Sequence, residues 1–391
     1  MLLSIIIPTR NRNYYCKDVI ETILSFSYEN FELVIQDNSD SLELKDYVDL
    51  REKDERLNYN YTPNPISSID NFNLAIGSSK GEYLCLIGDD DSVHPSIFPV
   101  VEWAKESEVS SVVPTLKSIF TWPDACINIQ DNGVLTIEEI TGLIKKRSTN
   151  GVIKQLMQNG GQDYLNLYFP KLYHGIVKRE FIEKIKKETG NYVGGLSPDI
   201  YIAIGLAKNI SSFIEIDYPI TLPGICGKSA PVDEKKNKYN KLEEAPHFRN
   251  RRFYKWSSQV PRFYSSPNIW ADSALTAVKE LNINDLALYF NKFRLGVVLL
   301  KSNPENRDEI INFLKKGVSV HDYYIFFSFS LVRKFINDFG IKLKFKIASI
   351  LFIKKKRQTF KNVENIHSAI KILSENISEE KLLTELTKSF N

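Results

Sequence analysis

The chain has 391 residues, of which 43% are hydrophobic and 12% aromatic, and its formal net charge is +3. This length exceeds one ordinary domain and suits two, and the small net charge argues against a general nucleic-acid-binding surface. Its four cysteines show no Cys-x-x-Cys spacing, which argues against zinc and disulfides and favours a reducing compartment.

The N-terminal part alternates between apolar strands and helical stretches. Strands are predicted over residues 2–7, 31–35, 57–61 and 83–87, with a helix after residue 12 and another over residues 70–79. This alternation predicts an α/β fold with a parallel sheet covered on both faces. Ligands bind such sheets beyond the carboxyl ends of the strands. Arg10, Asp37 and the acidic run that follows residue 87 all lie at those ends.

The acidic run Asp89, Asp90 and Asp91 follows Gly88 directly at the end of a predicted strand. Three adjacent carboxylates repel one another, and burying them carries a desolvation cost. A hard divalent cation such as Mg²⁺ or Mn²⁺ removes both problems and takes carboxylate and phosphate oxygens together. The run therefore indicates an enzyme that holds a phosphate-bearing substrate through a metal. The alternative is a polar turn, because Asp and Gly both favour turns.

Three motifs in order resemble those of the bacterial glycosyltransferase family 2, which has the Rossmann-like GT-A fold. They are residues 4–12 (SIIIPTRNR), 32–39 (ELVIQDNS) and 81–95. The resemblance covers about residues 1–225 and is strongest before residue 100. Members of the family transfer a sugar from a nucleotide sugar to an acceptor hydroxyl, usually with inversion.

The resemblance implies roles for the residues at the first two strand ends. Asp37 would contact the nucleotide base. The base pocket would be lined by Pro8, Thr9 and Arg10.

The resemblance also implies that the acidic run holds the metal and the sugar nucleotide. Asp89 and Asp90 would bind the nucleotide sugar, and Asp90 and Asp91 would be the metal ligands. The family motif usually begins with Asp where this chain has Gly88. Alignment on Pro95 favours Asp90 as the principal ligand, with Asp91 as the alternative.

A second departure lies on the helix before the acidic strand. Many family members have an Arg-Asn pair there, and this chain has Phe72 and Asn73. A phosphate-facing arginine is therefore absent at this position. Asn71 and Asn73 are candidate neutral donors in its place, and another basic residue is the alternative.

Asp199 is the candidate catalytic base. It follows a glycine-rich stretch and a Ser-Pro helix start, with Ser197 at the N-cap. The resemblance places an acidic residue at the start of this helix, and inverting transfer needs a carboxylate that takes the acceptor proton. The alternative is an aspartate that only complements the helix dipole, and Asp163 and Asp217 are weaker candidates. The histidines form no metal site by spacing, and we expect His174 to be a satisfied core residue, with a residue that faces the acceptor as the alternative.

From about residue 268 the composition changes to long helical patterns. We expect a catalytic domain over residues 1–265, with a nucleotide-binding half over about 1–120 and an acceptor half over about 121–265. Residues 266–391 would form a mostly helical C-terminal domain. Its segment 341–360 is basic and amphipathic, which predicts contact with an anionic membrane surface or with a second copy of the chain. The alternative is a helix packed on the catalytic domain.

The leading hypothesis is a Mn²⁺- or Mg²⁺-dependent inverting glycosyltransferase of bacterial surface polysaccharide synthesis. Its donor would be a nucleotide sugar, a UDP-sugar by family frequency, and its acceptor a saccharide or a lipid-linked saccharide. We expect a cytoplasmic protein, peripheral on the inner membrane face if the basic segment binds lipid. The alternatives are a nucleotidyltransferase, although residues 8–12 lack the glycines of a triphosphate loop, and a non-catalytic nucleotide-sugar-binding assembly subunit.

Overall fold

The protein was analysed as a computed structural model that describes residues 1–126, 128–228, 242, 246–251, 253–350 and 357–388. Within this part of the chain the largest sheet has eight strands, in the order Leu57–Tyr61, Phe31–Asp37, Leu3–Thr9, Tyr83–Leu86, Ile176–Lys178, Ser111–Pro114, Ser212–Ile216 and Ile144–Ser148. Its first four strands are parallel and come from the N-terminal part. The predicted α/β fold class, with a parallel N-terminal half of the sheet and a mostly helical C-terminal region, is confirmed.

Three of the four strands in the parallel half of the sheet are almost entirely buried, and the edge strand over residues 57–61 is partly exposed. The four strands are β1 (Leu3–Thr9), β2 (Phe31–Asp37), β3 (Leu57–Tyr61) and β4 (Tyr83–Leu86), connected by helices α1 (Asn13–Leu24), α2 (Glu43–Leu50) and α3 (Ser68–Ser78). In β1 and β2 nearly every residue is buried, as expected for strands that helices cover on both sides. The register pairs Thr9 with Asp37, so these two strands end at the same level.

The acceptor half completes the large sheet and adds two smaller ones. Its elements are β5 (Ser92–Val93), α4 (Ile97–Glu106), β6 (Ser111–Pro114), β7 (Ser118–Thr121), β8 (Val134–Glu138), β9 (Ile144–Ser148), α5 (Val152–Gln158), β10 (Ile176–Lys178), α6 (Arg179–Thr189), α7 (Pro198–Asn209), β11 (Ser212–Ile216), β12 (Thr221–Leu222) and β13 (Gly224–Ile225). The apolar pattern of residues 109–120 predicts one strand, and this prediction is wrong. β6 ends at Pro114, which lacks an N–H for further pairing, and β7 belongs to a different sheet.

The C-terminal region contains α8 (Ser266–Glu280), α9 (Lys292–Ser302), α10 (Arg307–Lys315), α11 (Val320–Ile350), β14 (Arg357–Lys361), α12 (Ile366–Asn376) and α13 (Glu379–Lys388). The sequence pattern predicts a helix over residues 285–300, but α9 begins only at Lys292, because residues 284–289 form a 3₁₀ turn. Among the described helices, none has the length and apolar character needed to cross a bilayer.

The C-terminal region packs against the preceding part of the chain in two places. α8 lies in the same hydrophobic cluster as α7, through residues such as Ala274 and Ile202. Farther along, β14 pairs antiparallel with β8, and Val363 and Leu373 join the cluster under α1. The domain boundary near residue 265 stays a prediction.

The predicted basic amphipathic segment 341–360 spans several parts of the structure. Residues 341–350 are the end of α11, and residues 357–360 belong to β14, so the segment is not one helix, and its contact with a membrane stays a prediction. The basic residues 354–356 lie outside the described residues.

Gly81 lies just before β4 and against the backbone of β1, so a substitution there tests how closely β1 and β4 pack. A Cβ at Gly81 would lie 2.5 Å from the Ser4 nitrogen, whereas a Cβ at Gly77 in α3 would meet only a Tyr192 ring atom at 3.6 Å. We predict that Gly81→Ala lowers the free energy of unfolding by about 1–3 kcal/mol through overpacking. Gly77→Ala should leave it unchanged or raise it by up to about 1 kcal/mol. Urea denaturation followed by circular dichroism measures both, and equal stability of the two variants would contradict the close β1–β4 contact.

Candidate active site

The carboxyl ends of β1, β2 and β4 meet at one edge of the sheet. Thr9 ends β1, and its hydroxyl donates to Asp89 Oδ2 at 2.5 Å. Asp89 follows β4, whose neighbour Ile87 donates its N–H to the Ile6 carbonyl of β1 at 3.0 Å. The structure therefore brings the first and third motifs into direct contact.

Arg12 is the cation that balances the acidic run in this structure. Its Nη1 lies 2.7 Å from Asp89 Oδ1 and its Nη2 lies 2.8 Å from Asp90 Oδ2. Nη2 also donates to the sulfur of Cys226 at 2.7 Å. Both aspartates are buried, at 2% and 5% exposure, and the Arg12 side chain is 22% exposed. One guanidinium thus bridges two carboxylates that would otherwise repel each other at low dielectric.

Asp91 is held by a separate set of donors. The backbone N–H groups of Gly88 and Gly224 each donate to its carboxylate at 2.7 Å. The Tyr173 hydroxyl donates to Oδ2 at 3.0 Å, and His174 Nε2 lies 3.2 Å from the same oxygen. Tyr173 and His174 reach this point because the segment before β10 runs alongside β4, where the His174 N–H donates to the Leu86 carbonyl at 2.9 Å.

The position of Tyr173 explains why this chain has Gly88 where the family motif usually has Asp. A Cβ at Gly88 would lie 2.8 Å from the Tyr173 hydroxyl oxygen and 2.9 Å from Asp91 Oδ2. Any larger residue would displace the donors that hold Asp91. The loss of an acid at position 88 therefore accompanies a tyrosine that occupies its space.

β13 closes the acidic run from the other side. A Cβ at Gly224 would lie 1.7 Å from the Asp90 carbonyl oxygen, so only glycine allows this approach. The same carbonyl accepts a hydrogen bond from Trp122 Nε1 at 2.9 Å. The backbone of Asp90 is thus fixed by two distant segments.

These contacts give the acidic groups different pKa values. Burial raises the pKa of the Asp89 carboxyl above its ordinary value, and the nearby Arg12 charge only partly opposes this. Burial also acts to raise the pKa of Asp91, but His174 and the two backbone N–H donors overcome it, so the net pKa is lowered. Asp91 is therefore ionised at neutral pH, and of these two carboxyls Asp89 takes up a proton at the higher pH.

The donor chemistry of the run fits a hard divalent cation bound mainly through substrate. Among the described residues, no group of three or more His, Cys, Asp or Glu side chains is arranged to hold a metal ion. Mg²⁺ is commonly bound through one or two carboxylates together with substrate phosphates and water. Asp90 and Asp91 supply the oxygen ligands that this arrangement requires, so the predicted metal ligands fit the group, and metal binding stays a prediction.

The predicted base pocket is built around buried polar contacts. Asp37 is fully buried and accepts hydrogen bonds from the Ser39 N–H at 2.7 Å and the Tyr59 hydroxyl at 2.8 Å. Arg10 extends to the loop after β2, where it donates to Asn38 Oδ1 and pairs with Asp40, both at 2.6 Å. Asp37 therefore shapes the strand end in this structure, and its contact with a base stays a prediction.

The two asparagines of α3 have different surroundings. Asn73 uses both amide hydrogens on the carbonyls of Ile69 and Val193, and its oxygen accepts from the N–H groups of Tyr192 and Val193. A nucleotide contact would require Asn73 to give up these bonds. Asn71 instead donates to the Thr9 carbonyl at 3.1 Å, and its Oδ1 is buried without a hydrogen-bond partner. Of the two, Asn71 lies at the strand ends beside Thr9. Pro8, also assigned to the pocket, pairs with Gln36 of β2 one position before the end of β1.

Asp199 lies in the first turn of α7 and interacts electrostatically with the acidic site. Burial raises the pKa of its carboxyl to about 6, while His174 and Lys171 oppose this and Asp91 adds to it. Asp217, one of the alternative candidate bases, has different surroundings. Asp217 is bound by Thr115, Thr141 and Lys117, and its pKa is about 2 because these donors outweigh the effect of burial.

Sequence reasoning missed three parts of this site. Arg12 was inside the first motif but had no assigned role, although it is a cation directly after a strand end. His174 was expected to be a core residue, and it is 7% exposed, yet its Nε2 lies against Asp91 and its Nδ1 has no hydrogen-bond partner. Tyr173 and Gly224 gave no local signal, since their roles depend on strand neighbours distant in sequence.

The N-terminal part of the chain matches the model of a known protein family. Residues 4–153 match the model of glycosyl transferase family 2. The matched segment contains all three motifs together with Arg12 and the acidic run, so the resemblance inferred from the sequence is supported over that range.

Individual relatives are similar over short stretches. An uncharacterized glycosyltransferase of Rickettsia bellii is 31% identical over 91 residues, which cover 23% of this chain and 13% of the relative. A GalNAc(5)-diNAcBac-PP-undecaprenol beta-1,3-glucosyltransferase of Campylobacter jejuni is 29% identical over 96 residues, covering 23% of this chain and 30% of the relative. The chain therefore aligns with less than a third of either relative's length.

Solved structures give a weaker likeness. The crystal structure of S. aureus TarS 1–349 in complex with UDP-GlcNAc has 14% sequence identity and a TM-score of 0.46, with 80% of each chain covered. This likeness is too low to assign a donor or an acceptor to the present chain.

The bridge formed by Arg12 leads to a stability prediction. We expect Arg12→Met to lower the free energy of unfolding by about 3 kcal/mol near pH 8, because two buried carboxylates lose their counter-charge. The loss should shrink near pH 5, where Asp89, whose pKa is raised, is protonated and repels Asp90 less. Thermal and urea unfolding at the two pH values measure this.

The matched control is Arg51→Met, because Arg51 pairs with the half-exposed Glu21 on the surface. Its effect should stay below about 1 kcal/mol at both pH values. Equal effects of the two substitutions would contradict a special role for Arg12.

Proposed function

We propose that the protein is a metal-dependent inverting glycosyltransferase that uses a nucleotide-sugar donor. The observation that carries the proposal is that His174 contacts Asp91 of the acidic run and also interacts electrostatically with Asp199. The run lies at the strand ends of the segment that matches glycosyl transferase family 2. If the acidic run binds the diphosphate, Asp199 would supply a base near it, as sugar transfer requires.

Donor binding is assigned to the strand ends. Asp90 and Asp91 would hold Mn²⁺ or Mg²⁺, which when bound would offset the negative charge of the departing nucleoside diphosphate. Thr9 and Asp89 lie beside that position, and Asn71 offers a buried acceptor next to Thr9. A UDP-sugar is the proposed donor by resemblance to the family.

Asp199 is proposed to take the proton of the acceptor hydroxyl. The hydroxyl oxygen forms a bond to the anomeric carbon on the face opposite the diphosphate, and the bond to the diphosphate oxygen breaks with its electron pair. The proton moves to the Asp199 carboxylate, and the configuration at the anomeric carbon inverts. A pKa of about 6 keeps this carboxylate ionised at neutral pH while making it a stronger base than an exposed aspartate.

The acceptor is proposed to be a saccharide or a lipid-linked saccharide of a bacterial surface polysaccharide, capsule or O-antigen. Support comes from the Campylobacter jejuni relative, whose name specifies an undecaprenol-linked acceptor. Synthesis from nucleotide sugars on such an acceptor would take place at the cytoplasmic face of the membrane.

Two other functions remain distinguishable by experiment. A nucleotidyltransferase would release pyrophosphate, and the residues 8–12 that follow the first strand contain no glycine for a triphosphate loop. A non-catalytic nucleotide-sugar-binding subunit would bind donor without turnover. Neither explains why a carboxylate with a raised pKa begins α7 beside the acidic run.

Metal-dependent donor binding provides the next prediction. We expect Asp90→Asn to abolish most of the Mn²⁺-dependent part of UDP binding in calorimetric titration, because an amide replaces a charged oxygen ligand. Asp91→Asn should do the same with a larger loss of melting temperature, since it also weakens four donor contacts. The control is Asp131→Asn, whose carboxylate pairs with Lys361. If UDP affinity with Mn²⁺ is unchanged in both site variants, the run is a structural turn.

The role of Asp199 predicts a kinetic effect with little loss of donor binding. Asp199→Asn should lower the single-turnover transfer rate by about 10²–10⁴. In the wild type the rate should fall as the pH drops through about 6, because protonated Asp199 cannot accept a proton, and the variant should lack this dependence.

Asp217→Asn is the matched control, because Asp217 is bound by Thr115 and Lys117 and should affect melting temperature rather than turnover. A near-normal rate in Asp199→Asn would place the base elsewhere, with Asp163 as the next candidate.

A further inference from the structure

The helix α11 exposes an unusual number of large apolar side chains. One row along the helix contains Val320, Tyr324, Leu331 and Phe335, which are 75%, 61%, 45% and 70% exposed. A second row contains Ile325, Phe329, Val332 and Ile336, which are 49%, 65%, 56% and 61% exposed. Together these two rows are named the α11 apolar face. Contiguous exposed apolar surface of this kind marks a site of interaction.

The opposite side of the helix is the side that packs on the protein. Tyr323 is 6% exposed, and its ring lies 6.2 Å from that of Phe293 in α9. Ser330, two turns farther on, is 2% exposed. The α11 apolar face therefore points away from the fold through at least four turns of the helix.

The width of the α11 apolar face distinguishes a membrane interface from a partner helix. At about 100° per residue, the two rows together cover about half of the helix circumference. A coiled-coil partner needs only a narrow seam, whereas a helix lying in a membrane interface buries a wide apolar face. The aromatic share of the face, with Tyr324, Phe329 and Phe335, also suits the boundary between lipid headgroups and acyl chains.

The charge of the following sequence points to the same occupant. Arg333 and Lys334 lie on α11 itself, and residues 339–357 contain seven basic residues and no acidic one. Such a run is attracted to anionic lipid headgroups, whose field acts within a Debye length of the surface. A second copy of this chain would place like charges against each other.

We propose that the α11 apolar face docks the protein on an anionic lipid surface, with the helix lying in the plane of the interface. This goes beyond the proposed transfer reaction and does not depend on it, because docking requires neither donor nor metal. It would place an enzyme of this kind beside any acceptor that is anchored in the same bilayer.

Vesicle flotation tests the docking without any sugar nucleotide present. Wild-type protein should float with vesicles of equal parts phosphatidylglycerol and phosphatidylcholine, and much less with phosphatidylcholine alone. Phe329→Ser with Ile336→Ser should weaken binding to the anionic vesicles at least about tenfold, because two apolar anchors are lost. Tyr324→Ser with Phe335→Ser removes the other row and should do the same. High salt should also release the wild type, since screening weakens surface electrostatics.

The control removes two equally exposed side chains elsewhere, Leu50→Ser with Leu288→Ser, both of which are 87% exposed in the native protein. This control should float like the wild type, and circular dichroism should show all variants folded. The proposal is overturned if the wild type does not float, or if both row variants float as well as the control. It is also overturned if light scattering shows a lipid-free dimer that the row variants dissociate, because a second copy then covers the face.

Discussion

The contact of Arg12 with Asp89 and Asp90 is the interaction on which this site depends. Two neighbouring carboxylates with almost no solvent exposure would be strongly unfavourable alone, because the low dielectric strengthens their repulsion and burial removes their hydration. One guanidinium lies within 2.8 Å of both. The acidic run can therefore stay at the end of β4 in the absence of ligand. Its carboxylates would then be in place when a charged substrate binds.

The same contact connects donor binding to the rest of the fold. Arg12 also reaches Cys226, and Gly224, two residues earlier, donates to Asp91 and lies against the Asp90 backbone. A cation arriving at Asp90 would share that carboxylate with Arg12. Binding at the strand ends would therefore alter the contact between Arg12 and the segment around β13. On the other side, His174 connects the run to Asp199 at the start of α7. The acidic run and Asp199 are thus coupled through His174, which contacts Asp91 and influences Asp199 by its charge.

Much of the N-terminal fold was predictable because local pattern and tertiary burial agree there. The strands over residues 2–7 and 31–35 are mainly apolar runs, and the strand over residues 57–61 is a short run that ends before turn residues. Parallel pairing places their ends together. The acidic run and Asp199 could be named as candidates, since each follows a recognisable strand end or helix start, and their roles stay predictions. The pattern failed where neighbours distant in sequence decide the outcome, as with His174, which occupies a left-handed backbone conformation beside β4. It failed again at β14, a polar strand that is defined only by its pairing with β8.

The central claim is that this chain cleaves a nucleotide sugar at the acidic run with the help of a divalent metal. The most direct measurement is phosphorus NMR of nucleotide sugars incubated with the protein, a polyprenyl-linked saccharide acceptor and Mn²⁺, with and without EDTA. The account predicts release of nucleoside diphosphate together with a glycosylated acceptor, both abolished by EDTA. Release of pyrophosphate, or tight donor binding without any turnover across the donor panel, would contradict it.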